Sequence, residues 1–107
     1  MRVVPMHTAS SAPALGDPME PTQNEVWVEL AASGNGAVNA TVQMKGRIDA
    51  LSALQSIGSP VTISGTAAPG APVTDSFKVE TGAKYLYADL TAVSAISFRA
   101  VGSEADR

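Results

Sequence analysis

An alternation of apolar and polar residues constrains the fold of this chain more than any other feature. From Val38 to Lys45 every second residue is apolar, and the residues between them are polar. Because successive side chains of a β-strand point to opposite sides, this period predicts a strand with one buried and one solvated face. The buried row is Val38, Ala40, Val42 and Met44, and the outward row is Asn39, Thr41, Gln43 and Lys45. Such a strand needs a second layer to cover its apolar face.

Further short strands are predicted along the chain after residue 24. Residues 25–31 alternate in the same way, with Trp27 on the face opposite the aliphatic row of Val26, Val28 and Leu30. Residues 33–36 contain Asn-Gly, which readily supplies the positive φ angles of a tight turn and predicts a hairpin. More strands are predicted at residues 60–66, 75–80, 85–93 and 95–101. The Pro/Gly-rich residues 67–72 predict a turn.

Residues 47–57 fit two patterns. Their apolar residues recur at every third position, which suits a helical turn, whereas Leu51, Ala53 and Gln55 fit a short strand. We favour a loop followed by a strand. Together these segments give roughly seven short strands separated by turn signals, a pattern typical of sandwiches. The sequence therefore predicts an all-β fold, a single antiparallel β-sandwich of jelly-roll-like form, over residues 25–107.

Residues 1–24 differ from the rest of the chain. They hold four of the seven prolines and three of the four methionines. Because proline lacks an N–H donor and fixes φ, this segment is predicted to form neither a helix nor a central strand. We expect an extended N-terminal arm, and two alternatives stay open: a loose terminus, or an arm that becomes ordered against a neighbouring subunit. Its apolar anchors are Val3, Val4, Met6, Leu15 and Met19.

Composition excludes several kinds of chemistry. The chain has no cysteine, which excludes disulfides, thiolate metal sites and cysteine nucleophiles. Its net charge is −3, and its seven Lys and Arg residues are scattered, so nucleic acid is not an expected partner. No apolar run reaches the length of a membrane span, and no membrane partner is expected.

No catalytic, metal or cofactor site is predicted. His7 is the sole histidine and lies in the proline-rich segment, far in sequence from any Ser/Asp pair on the strands. A catalytic base has to be held rigidly beside its nucleophile, so a structural or accidental role is expected for His7. The carboxylates are scattered, and no phosphate-cradling glycine loop or calcium loop is present. We expect that the protein is not an enzyme and needs no cofactor.

Trp27, Tyr85 and Tyr87 are the aromatic residues that alternation places opposite the aliphatic rows. They either form a second buried face or contribute to an interface, because aromatic side chains with polar groups provide much contact area at low entropic cost.

The order of these pieces over residues 25–101 resembles small β-sandwich virion proteins of tailed bacteriophages. Two strand motifs carry the resemblance, one leaving the alternating strand and one near the C-terminus. The matching residues are Met44, Gly46 and Asp49, and then Tyr85, Tyr87, Ala88, Leu90, Thr91 and Ala92. The chain departs from the pattern at Arg47, where serine is commoner, and at Ala50, where glycine is expected.

The resemblance implies a structural role, with a capsid cement or decoration protein as the first hypothesis. Such a protein would lie on the outer capsid surface after synthesis in the host cytoplasm and would clamp neighbouring subunits of the major capsid protein. It would act as a homodimer or homotrimer. The alternatives are a tail or adaptor component, or a receptor-binding or carbohydrate-binding module whose aromatics stack on a sugar.

Overall fold

The computed structural model describes residues 2–49 and 51–104, and these form an all-β structure without helices. Its strands are β1 (Arg2–Ser10), β2 (Glu25–Ser33), β3 (Gly36–Arg47), β4 (Gln55–Ser56), β5 (Val61–Ala67), β6 (Val73–Glu80), β7 (Tyr85–Ser94) and β8 (Ser97–Glu104).

The strands form two antiparallel sheets that pack face to face. The first sheet has the order β1-β8-β2-β6. In the second sheet β3 is central, with β7 on one side and with β5 and β4 paired to successive parts of its other side. The predicted antiparallel β-sandwich is therefore confirmed.

From β5 to β8, consecutive strands of the chain alternate between the two sheets. β1, β2, β6 and β8 belong to the first sheet, whereas β3, β4, β5 and β7 belong to the second. Between β1 and β2, residues Ala14 and Met19 each form an isolated bridge to β7 of the second sheet. This alternation favours the jelly-roll form, which stays a prediction.

The core lies between the sheets and follows the alternation read from the sequence. The apolar row of β3 is buried throughout and faces the row of Val26, Val28 and Leu30 on β2. Leu86, Ala88 and Leu90 on β7 and Phe98 and Ala100 on β8 complete the same cluster. The alternation of apolar and polar residues is thus explained by the packing of the two sheets, because each sheet removes one face of the other from water.

The predicted hairpin at residues 33–36 is wrong. β2 and β3 belong to different sheets, so this connection carries the chain across the top of the core instead of joining paired strands. Gly36 has a φ of 120°, but Asn35 has no positive φ, so the turn lacks the geometry that Asn-Gly hairpins use. With the two strands in different sheets, their apolar rows belong to one core cluster between the sheets.

Residues 48–49 and 51–54 lie in a loop, and the two-residue strand β4 follows it. This agrees with the favoured interpretation of loop plus strand. The loop contains a turn in which the Ser52 N–H donates to the Asp49 carbonyl over 3.2 Å. Ala50, the position at which glycine was expected, lies outside the described residues.

The N-terminal segment is part of the sandwich. The prediction of a separate arm over residues 1–24 is therefore wrong for the part of this segment that forms β1. β1 is an edge strand that pairs with β8, with register shifts after Pro5 and His7. Edge pairing suits Pro5, because an edge strand needs hydrogen bonds on one side only. After β1 the chain crosses to the second sheet, where Ala14 pairs with Leu90 and Met19 pairs with Leu86.

Two of the predicted anchors for a neighbouring subunit are core residues of their own chain. Met6 and Met19 are fully buried, and Gly102 leaves the space that the Met19 sulfur occupies. Val4 also packs against this cluster, Leu15 is half-buried, and Val3 is exposed. The prediction that Met6 and Met19 are surface anchors is therefore wrong. Both side chains lie inside the sandwich, because removing apolar surface from water is favourable.

We expect Met19→Ala to lower the free energy of unfolding by about 2–5 kcal/mol, because it leaves a cavity in a packed core. Val3→Ala, on the exposed side of β1, is the control and should change stability by less than about 0.5 kcal/mol. Urea unfolding followed by Trp27 fluorescence measures both. Equal, small effects would contradict the placement of Met19 in the core.

Candidate interaction surface

Large exposed apolar side chains mark the candidate interaction surfaces. In the described part of the chain these are Val3, Trp27, Ile48, Leu51 and Ile96. They fall in three places: the outer face of the first sheet, the loop after β3, and the turn between β7 and β8. Single exposed apolar residues are common on soluble proteins, so only groups of them carry an argument.

The most exposed group is the loop tip, which we define as Ile48, Asp49 and Leu51. Ile48 is 71% exposed and Leu51 is 98% exposed. The Leu51 N–H donates to Asp49 Oδ1 over 2.7 Å, and this hydrogen bond is the main reason that the pKa of Asp49 lies below its ordinary value. The ionised carboxylate therefore fixes the turn that presents Leu51 to solvent.

An apolar cleft of about 370 Å³ adjoins the loop tip. It lies between the loop after β3 and the connection from β6 to β7, at the end of the sandwich where β3 finishes. Its lining residues are Gly46, Arg47, Ile48, Ser52, Ala53, Gln55, Ile57, Thr81 and Ala83. The cleft and the loop tip form one continuous apolar region, because Ile48 belongs to both.

Arg47 anchors the base of this region. Its guanidinium donates to the Tyr87 hydroxyl over 2.6 Å and lies 5.2 Å from the Tyr87 ring centre and 6.0 Å from that of Tyr85. Such cation–aromatic contacts stabilise a side chain in place. Next to it Lys45 and Asp89 form an ion pair of 2.9 Å. The loop therefore leaves the sheet from a fixed base.

The structure separates the three aromatic residues that were predicted as a group. Trp27 is exposed on the outer face of the first sheet, whereas Tyr85 and Tyr87 belong to β7 of the second sheet. Tyr87 is buried under Arg47, and Tyr85 is half-buried. A sugar-stacking platform shared by all three, which was one alternative, is excluded because the two sheets turn these side chains to opposite sides of the sandwich.

The structure does bring two other candidates together. Val3 and Trp27 both lie beside Ser103, on opposite sides of β8, because Ser103 is the register partner of each. At a strand spacing of about 4.8 Å they are about 10 Å apart on one face. Both are roughly half exposed. This pair is the second candidate surface, smaller and flatter than the loop tip.

His7 is a structural residue. It is buried, and its Nε2 lies 2.6 Å from the Ala88 carbonyl oxygen, which can only accept, so Nε2 donates. Its Nδ1 lies 2.8 Å from Ser10 Oγ, and its ring packs edge-on against Phe98. The alternative of a loose terminus does not hold at this position, because β1 holds His7 in the sandwich.

Glu104 is the group that the sequence analysis missed. It is buried, and its carboxylate accepts hydrogen bonds from the Thr22 N–H, the Thr22 hydroxyl and the Gln23 N–H. Arg2 Nε completes the cluster at 2.9 Å. Burial raises the pKa of Glu104, but these hydrogen bonds and the Arg2 charge outweigh it and hold the pKa below its ordinary value. One sequence signal could have predicted its burial: Glu104 continues the inward-facing row of β8 formed by Phe98, Ala100 and Gly102.

Within residues 2–49 and 51–104 no cluster of three or more His, Cys, Asp and Glu residues could hold a metal ion. The same residues contain no helix long and apolar enough to cross a membrane. Comparison with family models, with curated proteins and with solved structures finds no match to this chain.

We expect Glu104→Gln to lower the free energy of unfolding by about 1–3 kcal/mol near neutral pH, because the amide accepts less strongly and leaves Arg2 without its charge partner. A carboxyl with a lowered folded-state pKa stabilises above its unfolded value of about 4.5 and loses this contribution as pH falls through the folded pKa. The difference between the two proteins should therefore shrink below pH 4.5.

Glu29→Gln is the matched control, since Glu29 is exposed on β2. Urea unfolding at a series of pH values measures all three proteins. A wild-type advantage that persists unchanged at pH 3 would contradict the assignment.

Proposed function

We propose that this chain is a structural protein of a tailed-bacteriophage particle, and specifically a capsid cement protein that binds where coat subunits meet. The resemblance of residues 25–101 to small β-sandwich virion proteins supports the proposal. The loop tip carries it, because a nearly fully exposed leucine beside an isoleucine and an apolar cleft is the kind of surface that another protein covers.

The loop tip is suited to insertion between coat subunits. It projects from one end of the sandwich, its turn is fixed by Asp49, and its base is fixed by Arg47. A fixed projection loses little conformational entropy on binding, so most of the apolar burial is available as affinity. Many copies on one particle add modest contacts into stable attachment of the lattice.

The proposed clamping differs from the mechanism expected for a free arm. Residues 2–19 are engaged with β7 and β8, so they contact coat subunits only if they leave their positions in the sandwich. The sandwich and its loop tip then make the contact in this proposal, with the N-terminal segment as a part of the rigid body.

The test is co-sedimentation of the purified chain with empty shells of the coat protein from the same phage. We expect saturable binding that the double variant Ile48→Ser/Leu51→Ser weakens about 30-fold, which corresponds to about 2 kcal/mol at a buried apolar anchor.

Ile96→Ser is the matched control, because Ile96 is equally exposed but lies at the opposite end of the sandwich. It should bind like the wild type. Failure of the wild-type chain to bind shells contradicts the proposal, and so does a larger loss for Ile96→Ser than for the loop variant. Binding to tails instead of shells would favour the tail or adaptor alternative.

A carbohydrate-binding module is the second candidate, and the observation that favours it is the half-exposed Trp27 on a flat sheet face. An indole ring in this position can stack on a sugar ring, and Ser103 and Lys78 beside it in the neighbouring strands can donate hydrogen bonds. Saturable sugar binding that Trp27→Ala abolishes and Val3→Ala preserves would establish this alternative. Unchanged coat binding by Trp27→Ala would leave the cement proposal intact.

A further inference from the structure

The N-terminal segment, residues 2–19, is held to the rest of the chain mainly by backbone pairing with strands that are distant in sequence, and one internal hydrogen bond joins the Asp17 N–H to the Met6 carbonyl. β1 pairs with β8, and Ala14 and Met19 pair with Leu90 and Leu86 of β7. Met6 and Met19 fill holes in the core between these strands. The segment therefore occupies a groove formed by β7 and β8, and the connection to β2 is its one covalent tie to the sandwich.

That connection is very short. Met19 is fixed by N–H and C=O bonds to Leu86, and Thr22 is fixed by bonds to the Glu104 carboxylate. Only Glu20 and Pro21 separate these two fixed points. The ring of Pro21 also limits how this hinge can bend. Short, stiff hinges favour exchange of the segment between chains, because straightening the hinge relieves its constraint.

We propose that residues 2–19 are exchanged between copies of this chain, so that the segment of one copy fills the β7/β8 groove of the next. The partner is thus a second copy of this chain, and it completes the core with its own Met6 and Met19. The inference does not depend on coat binding. It names the contact through which the sandwich would form the homo-oligomer that was expected from the sequence.

The exchange conserves the interactions described above. The β1–β8 ladder, the Ala14 and Met19 bridges, the His7 bond to the Ala88 carbonyl and the Arg2–Glu104 ion pair all form between chains instead of within one chain. The same contacts form in the single chain and in the exchanged oligomer, so they do not favour either form. The equilibrium between the two forms then depends on the hinge and on protein concentration.

The test uses paired cysteines, which the chain lacks naturally. Val3 and Ser103 are register partners on the exposed face of β1 and β8, at a separation that suits a disulfide. Under oxidising conditions Val3→Cys/Ser103→Cys should give covalent dimers or higher multimers on a non-reducing gel. Glu29→Cys/Ser76→Cys joins β2 to β6 outside the exchanged segment and should give only monomers with an internal disulfide.

Each outcome decides the proposal. Multimers for the Val3/Ser103 pair with monomers for the control support it. Monomers for both pairs overturn it, and so do multimers for both, because the links would then arise from chance encounters.

A second measurement covers the case in which neither disulfide forms. Sedimentation of the cysteine-free chain should give at least twice the mass of one chain, and inserting Gly-Ser-Gly between Glu20 and Pro21 should return it to one chain. A wild-type chain that sediments as a monomer at every concentration, or an oligomer that the longer hinge leaves unchanged, overturns the proposal.

Discussion

The structure depends on how the backbone N–H and C=O groups along the outer edge of β7 find hydrogen-bond partners. An unpaired strand edge presents a row of N–H and C=O groups that attract other chains. Here the edge is covered at alternate residues by three different partners: the backbone of Met19 at Leu86, the His7 imidazole at Ala88, and the backbone of Ala14 at Leu90. An imidazole replaces a strand residue at the middle position. This single arrangement explains why a segment rich in proline is ordered and why the lone histidine is buried.

The edge strand on the opposite side of the sandwich, β6, is protected in a different way. Among the described strands none pairs with the outer side of β6, where Asp75 shares a register position with the buried Leu30 and is itself exposed. A charge in the inner row of an edge strand discourages pairing with another sheet. One side of the molecule is therefore closed by its own chain, while the other is protected by charge. Both ends carry exposed apolar side chains, Ile48 and Leu51 at one end and Ile96 at the other.

The strands and the core rows of this fold are predictable from the sequence because alternation is a local property. Val38 to Met44 and Val26 to Leu30 were assigned to the correct faces in this way. The pairing of strands was not predictable, since Asn-Gly describes a turn but not whether the chain returns to the same sheet. Glu104 and His7 were beyond local analysis for the same reason: their partners lie about eighty residues away. Among the residues predicted for an interface, Val3 and Trp27 are exposed, whereas Met6, Met19 and Tyr87 are buried. The sequence does not distinguish the two groups, because exposure depends on how the sheets pack.

The pairing of β1 with β8 has a consequence for synthesis of the chain on the ribosome. β1 is synthesised long before β8, so it has no pairing partner until residues 98–104 have been made. Until then the apolar side chains near the N-terminus have no core to enter, and folding of so non-local a structure is slow compared with helical proteins of the same length. On a polysome, the finished β8 of one chain and the waiting β1 of the next are present together, at a high local concentration.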